Sequence, residues 1–213
     1  AWLKVFNNGH SVQLNGAFGS LSLPDGEYEA KQLHFHFPSE HEIDGVLAAG
    51  EMQIVHQRKG ATGPEGLAVV SVMLHDSDDV DAKTLNFLNS LGFSGRLPTE
   101  GTELELPVGL TLNLGEIFHQ QLAGEFYHYE GSLTTPPCSE TVHWYVLHTP
   151  SAVGRSMVNN FKSLFPPPAN NRPVQPLNGR AVVISDLATN ANEFGSAEPV
   201  ETEIEEPYSG STE

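Results

Sequence analysis

The chain is poor in cysteine, in basic residues and in long apolar runs, and each scarcity excludes a class of protein. Among 213 residues only Cys138 is a cysteine, so a framework of internal disulfides is excluded. Lysine and arginine total 10 against 27 acidic residues, a formal net charge of −17, which disfavours nucleic acid and anionic membranes as partners. No run reaches the roughly 18 apolar residues of a membrane-spanning helix, so membrane insertion is not expected.

Charged residues are also few, at 17 %, whereas 20 glycines and 15 prolines punctuate the chain. This mixture is typical of many short strands and turns. We therefore predict a mainly β protein, with one large, mostly antiparallel, twisted central sheet and short peripheral helices. The predicted strands are residues 3–6, 11–14, 27–37, 48–57, 67–75, 141–149 and 181–185, and the predicted helices are 80–91 and 151–164.

The length suits one domain, which we place at residues 1–190. Acidic residues then concentrate in 191–213, which we predict to be a solvated tail. The sequence indicates no oligomeric state.

His34-Phe35-His36 is the most informative triplet in the chain. Residues two apart in a strand face the same side, so the two imidazoles project together while Phe35 faces the opposite layer. Two imidazoles are half of a tetrahedral zinc site. A pair of packed, hydrogen-bonded histidines would fit the triplet as well.

A second strand, residues 51–56, offers the third ligand. Glu51 and Gln53 share one face, and His56 lies on the other. If this strand pairs with the first, its functional face should be the one that carries Glu51 and Gln53. The third ligand is then Gln53 and not His56, although imidazole is the commoner zinc donor.

Several motifs, in order along the chain, resemble those of the alpha-type carbonic anhydrases from Asn7 to about Ser185. They are Asn7-Asn8-Gly9-His10, Gln32-Leu33-His34-Phe35-His36, Ser39-Glu40-His41, Tyr129-Glu130-Gly131-Ser132-Leu133-Thr134-Thr135-Pro136-Pro137 and Asn171-Arg172-Pro173-Val174-Gln175-Pro176-Leu177. The resemblance implies that family's fold and a Zn²⁺ cofactor. It also implies reversible hydration of carbon dioxide to bicarbonate and a proton through zinc-bound hydroxide, and sensitivity to sulfonamide-type inhibitors.

Two departures accompany the resemblance. The family's third zinc ligand is a histidine, and Gln53 stands in its place, as in the His-His-Gln set proposed for the related eta type. The chain also lacks the family's usual first stretch, which carries a tyrosine near the active site and the cysteine that pairs with the one resembling Cys138. The family's extracellular members and the acidic surface lead us to expect secretion.

The resemblance also implies a role for each site residue. Thr134 would accept from the hydroxide and donate to Glu40, and His10 would shuttle the proton, for which histidine is suited. We expect Gln32 to orient His34, Glu51 to orient Gln53, and a backbone carbonyl near Asn171 to orient His36. The implied substrate-binding residues are Val55, Val69, Leu133, Thr135, Val142 and Trp144.

Two alternatives stay open beside the enzyme. A metal-free, non-catalytic binding or storage protein of the same family would share these motifs. A different hydrolytic zinc enzyme is disfavoured by the apolar pocket, because a larger substrate needs more polar handles. We predict only structural or surface positions for His119, His128, His143 and His148.

Overall fold

The computed structural model describes residues 3–186, and a single ten-stranded sheet dominates this part of the chain. The strands are β1 Lys4–Asn7, β2 Val12–Asn15, β3 Ser20–Leu23, β4 Gly26–His36, β5 Glu42–Ile43, β6 Val46–Leu47, β7 Gly50–Arg58, β8 Leu67–Asp76, β9 Glu103–Glu105, β10 Glu125–Gly131, β11 Val142–Val153 and β12 Val183–Asp186. The helices are α1 Ala82–Ser90, α2 Leu114–Ile117, α3 His119–Leu122 and α4 Arg155–Lys162.

Nearly all strand pairs are antiparallel. The order across the sheet is β12-β10-β11-β8-β7-β4-β2-β1-β9, with β3 beside β4, while β5 and β6 form a separate hairpin. The pair β8–β11 is parallel. The prediction of a large, mostly antiparallel sheet with short helices is confirmed. Within the described residues, no helix is both long and apolar enough to cross a bilayer.

The two faces of the sheet have different partners. On the back face, alternate residues such as Leu33, Phe35 and Ile54 join the helix residues Phe87 and Phe161 in the larger core cluster. The residues that alternate with them face the front, where a second, smaller apolar cluster surrounds Trp144. Because side chains alternate along each strand, polar residues could be gathered on the front without entering the larger core.

Several boundaries differ from the prediction. Residues 151–153 continue strand β11, so the helix begins only at Arg155, after the extended cap Gly154. Strand β10, Glu125–Gly131, was not predicted, because its histidine and acidic residues weaken the apolar alternation. The predicted tail, 191–213, lies outside the described residues.

Candidate metal centre and active-site cleft

Strands β4 and β7 bring the predicted ligands together. The antiparallel register places His34 opposite Gln53 and His36 opposite Glu51. The three candidate ligands, His34, His36 and Gln53, line a cleft of about 530 Å³ on the front face. The alternation argument thus selects the correct face of both strands. His56 lies on the back of β7, where its Nδ1–H donates to the Ile54 carbonyl at 2.8 Å.

His34 is held in one tautomer by its neighbour on the strand. Its Nδ1 lies 2.7 Å from Oε1 of Gln32, so Nδ1 carries the proton and Nε2 a lone pair. Burial, with a smaller contribution from His36, lowers the pKa of His34 to about 3. The ring is therefore neutral at physiological pH, as a metal-ligating histidine must be.

His36 is oriented in the same way by a residue far along the chain. Its Nδ1–H donates to the backbone carbonyl of Asn170 at 3.0 Å. The carbonyl therefore belongs to Asn170 and not to Asn171, whose amide donates to the Ser39 carbonyl at 3.4 Å. Nε2 of His36 is buried and has no hydrogen-bond partner, which is rare for a buried polar atom.

The amide of Gln53 is held between two carboxylates. Its Nε2 donates to Oε2 of Glu40 at 2.9 Å and to Oε1 of Glu51 at 3.0 Å. Both amide hydrogens are thereby used, and Oε1 is turned toward Nε2 of His34, 3.0 Å away. The hydrogen bond from Gln53 to Glu51 is the one the sequence suggested, and Glu40 is a second acceptor that sequence reasoning missed.

Glu51 anchors this arrangement at full burial. It accepts from Nδ1–H of His41 at 2.8 Å, from the Ser71 hydroxyl at 2.7 Å and from the backbone N–H groups of Glu40 and His41. Burial opposes ionisation of the Glu51 carboxyl, but His41 and these donors outweigh it and hold its pKa far below the ordinary range. The carboxylate therefore stays charged and an acceptor.

These contacts leave three acceptor atoms on one face of two neighbouring strands: Nε2 of His34, Nε2 of His36 and Oε1 of Gln53. Nε2 of His34 and Oε1 of Gln53 lie 3.0 Å apart but cannot hydrogen-bond each other, because neither atom carries a hydrogen in this tautomer of His34. A divalent cation satisfies such a set, and zinc accepts both imidazole nitrogen and oxygen donors. The residues fit the metal.

Glu40 and Thr134 are less directly connected than expected. Both residues line one small pocket with Trp144. The Glu40 carboxylate accepts from the Gln53 amide and from the backbone N–H of Arg172 at 2.9 Å. Within residues 3–186 the structure contains no Thr134–Glu40 hydrogen bond; the donors to Glu40 are Gln53 and Arg172.

His10 lies at the mouth of the cleft and is exposed. Its loop is fixed by Asn8, whose Oδ1 accepts from the backbone N–H groups of His10 and Ser11 at 2.9 and 2.7 Å. Gly9 has φ +84°, a conformation that glycine adopts without strain. Asn170 also holds this loop, donating from Nδ2 to the His10 carbonyl at 3.1 Å.

An apolar wall faces the candidate ligands across the cleft. Of the six predicted substrate-binding residues, five line the cleft, namely Val55, Val69, Leu133, Thr135 and Trp144. Val142 is the exception: it is completely buried in the smaller core cluster beneath the wall. Its side chain supports the wall without reaching the cleft.

Sequence reasoning did not identify three of the residues that organise the site: Asn170, His41 and Arg172. His41 stands in the Ser39-Glu40-His41 motif, so its position could have been found, although its bond to Glu51 could not. Arg172 donates to the Ser132 hydroxyl and the Leu133 carbonyl, both at 3.3 Å. It thereby ties the loop after β10 to the closing segment.

Known proteins share this combination of sheet and cleft. The family model described as eukaryotic-type carbonic anhydrase matches residues 2–186. Curated carbonic anhydrases from Pectobacterium atrosepticum and Nostoc are 34 % and 35 % identical to the chain over 84 % and 85 % of its length. The chain belongs to the carbonic anhydrase family, a class of enzymes that hydrate carbon dioxide.

Solved structures agree with this assignment. The alpha-carbonic anhydrase of Photobacterium profundum superposes with a TM-score of 0.71 at 31 % identity, covering 85 % of this chain and 76 % of that one. The enzyme of Thermovibrio ammonificans, in complex with the inhibitor sulfanilamide, gives 0.70 at 30 % identity, covering 85 % and 78 %. The chain spans 68 % and 63 % of the lengths of the Pectobacterium and Nostoc proteins.

Proposed function

We propose that this chain catalyses the reversible hydration of carbon dioxide with Zn²⁺ held by His34, His36 and Gln53. The observation that carries the proposal is the pair of acceptor atoms, Nε2 of His34 and Oε1 of Gln53, that face each other at 3.0 Å. The buried, unpartnered Nε2 of His36 supports it. A bound cation would satisfy all three atoms.

A glutamine ligand is compatible with this chemistry. The amide oxygen is neutral, as imidazole is, so the full charge of the metal is retained. Oxygen is a harder donor than imidazole nitrogen, so zinc should be held less tightly. The carboxylates of Glu40 and Glu51 compensate in part, because they fix the amide and polarise its oxygen toward the metal.

Zinc, when bound, supplies the Lewis acidity that lowers the pKa of a coordinated water to about 7. The chain's own residues then have three tasks. The apolar wall of Val55, Val69 and Leu133 excludes water beside the ligands and receives an apolar substrate. Thr134, beside Glu40 in the small pocket, orients the reacting oxygen. Thr135, on the exposed rim, contacts the bicarbonate product.

His10 transfers the released proton to solvent. Its ring is exposed at the mouth of the cleft, where imidazole can exchange protons with buffer. The backbone contacts from Asn8 and Asn170 hold the loop but leave the imidazole free to rotate.

The same fold without metal would be a binding or storage protein, and metal analysis separates the two possibilities. The purified chain, incubated with Zn²⁺ and dialysed, should retain about one zinc at this site, hydrate carbon dioxide and be inhibited by sulfanilamide. His36→Ala should lose this zinc and the activity together, whereas His148→Ala, at an exposed position on β11, should keep both. Activity in the His36→Ala variant, or no zinc uptake by the unaltered chain, would contradict the proposal.

A further inference from the structure

A second group of metal-ligating side chains lies on the back face, at the end of the β10–β11 hairpin. His128 and Glu130 lie two residues apart on β10, and the register places Glu130 directly opposite His143 on β11. Alternation turns all three side chains away from the cleft, because their neighbours in sequence, Tyr129 and Trp144, belong to the front cluster.

The three side chains approach one another closely. Nδ1 of His143 lies 2.7 Å from Oε1 of Glu130, and Nε2 of His128 lies 4.0 Å from the same oxygen. One ligand atom from each residue lies within 4.8 Å of the other two. The side chains of His128, His143 and Glu130 are 26 %, 32 % and 64 % exposed, so an ion can reach them from solvent.

The tautomer of His128 separates this group from an ordinary surface ion pair. Nδ1 of His128 donates to the backbone carbonyl of Trp144 at 2.9 Å. In the neutral ring, Nε2 is therefore an acceptor, and it is turned toward a carboxylate oxygen that is also an acceptor. A positive charge between them, a proton or a metal ion, makes this contact favourable. A ring nitrogen that donates to a carbonyl is also the usual support of a metal-ligating histidine.

Neighbouring residues leave room and add negative potential. The register partner of His143 on β8 is Ala68, whose methyl group leaves space beside the imidazole. Asp25 lies close enough to His143 for an electrostatic interaction, and its carboxylate also accepts from the Tyr28 hydroxyl at 2.6 Å. Asp25 also pairs with Arg58 at 3.3 Å, so its carboxylate adds only a partly neutralised charge near the site.

We propose that His128, Glu130 and His143 form a second site for a divalent transition-metal ion, Zn²⁺ in the first place, on the face of the sheet opposite the cleft. Two imidazoles and one carboxylate are donors that zinc and copper both accept. The proposal does not depend on carbon dioxide hydration, since it shares no residue with the cleft.

The position of the site gives the bound ion a mechanical effect. Glu130 and His143 lie opposite each other on β10 and β11. Only one further pair, Gly131 and Val142, separates them from the loop that carries Leu133, Thr134 and Thr135. An ion bound to both strands cross-links the base of this loop. The back site therefore stabilises the segment that forms one wall of the cleft.

Zinc titration by calorimetry tests the site, with three variants beside the unaltered full chain. The front-face variant His34→Ala/His36→Ala should still bind about one Zn²⁺. Adding His143→Gln to it should weaken that binding at least about tenfold. Adding His148→Gln instead, at an exposed histidine of the same strand, should leave it unchanged. Cu²⁺ loaded into the front-face variant should show nitrogen hyperfine coupling that His143→Gln reduces.

Two results would overturn the proposal: no Zn²⁺ bound by the front-face variant, or equal binding by the His143→Gln and His148→Gln versions. If the front-face variant does not fold, the stoichiometry of the otherwise unaltered chain decides. It should fall by one Zn²⁺ on His143→Gln, and an unchanged stoichiometry would contradict the site. Absence of carbon dioxide hydration in the unaltered chain, with Zn²⁺ bound at the back site, would count against the proposed function alone.

Discussion

The two faces of the sheet carry similar side chains in very different surroundings. On the front, His36 donates from Nδ1 to the Asn170 carbonyl, and on the back, His128 donates from Nδ1 to the Trp144 carbonyl. In both places the backbone fixes the tautomer and leaves Nε2 as an acceptor. On the front, His36 and Gln53 are almost completely buried and His34 is half-buried, whereas the back ligands are partly exposed.

The carboxylates are used differently as well. On the front, Glu40 and Glu51 contact the amide of Gln53, so the metal ligands are all neutral. On the back, Glu130 is itself a candidate ligand. Strand geometry selects which atoms can contact an ion. Burial and the surrounding hydrogen bonds determine whether the ligands are neutral, so that the bound ion keeps its full positive charge for catalysis.

The largest effect should come from the neutral front ligand. Gln53→Ala should lose the front zinc and reduce carbon dioxide hydration at least about a thousandfold, because no nucleophile is generated at neutral pH without the metal. Gln53→His should hold zinc more tightly, with Glu51 accepting from the new ring. Gln57→Ala, a glutamine of the same strand, is the matched control. Full activity in Gln53→Ala would show that the ligand set is wrong.

A smaller effect concerns His56, a buried histidine on the back face. Burial lowers the pKa of His56 to about 4, against about 6.5 in an unfolded chain. The unfolded state therefore binds the proton first, and stability is lost as the pH falls from about 6.5 to about 4, by at most about 3 kcal/mol.

Urea unfolding at several pH values measures this loss. His56→Gln should reduce the pH dependence in that window and leave the part that is due to His34, whereas the exposed His75→Gln should not change it. If the free energy of unfolding falls equally with pH in His56→Gln and in the unaltered chain, His56 does not cause the loss of stability.

The exposed histidine at the front should matter for rate and not for metal. His10→Ala should slow turnover about tenfold or more in weak buffer, since a positioned proton carrier is lost. Imidazole or concentrated buffer should restore the rate, and the zinc content should not change. His119→Ala, an exposed histidine outside the cleft lining, provides the control. A rate that imidazole cannot restore would exclude His10 as the carrier.

The smallest effect should be that of Glu130→Gln without metal. With a chelator present, the exposed His143–Glu130 pair should contribute less than about 1 kcal/mol to the free energy of unfolding. With Zn²⁺ present, the unaltered chain should gain stability that Glu130→Gln lacks. Both proteins are compared in the front-face variant, His34→Ala/His36→Ala. If Zn²⁺ stabilises them equally with and without Glu130→Gln, Glu130 is not a ligand on the back face.

A large part of the candidate metal centre could be predicted from the alternation of side chains along the strands. The spacing of His34 and His36 and the phase of Gln53 on its strand were sufficient to choose the face and the candidate ligands. The contacts that orient them were predictable only where they are local, as for Gln32 and Glu51. Asn170 lies 134 positions from His36, and no periodicity in the sequence links the two.

Strand β10 shows the same limit on the fold. Its outward residues, His128 and Glu130, are polar because they lie at the partly exposed end of the back face, so the apolar alternation that identifies a strand is interrupted. The donors to the Glu40 carboxylate, Gln53 and the backbone N–H of Arg172, could not be predicted either, because these contacts depend on how three separate segments pack together.

Asn170 has a consequence for how the protein is made. Its side chain accepts from the Phe37 N–H at 2.9 Å and donates to the Phe35 carbonyl at 2.8 Å, while its own carbonyl holds the His36 ring. During synthesis on the ribosome, β4 and β7 emerge long before this residue does. A nascent chain can therefore pair those strands early, but it acquires an aligned His36 only after Asn170 has emerged.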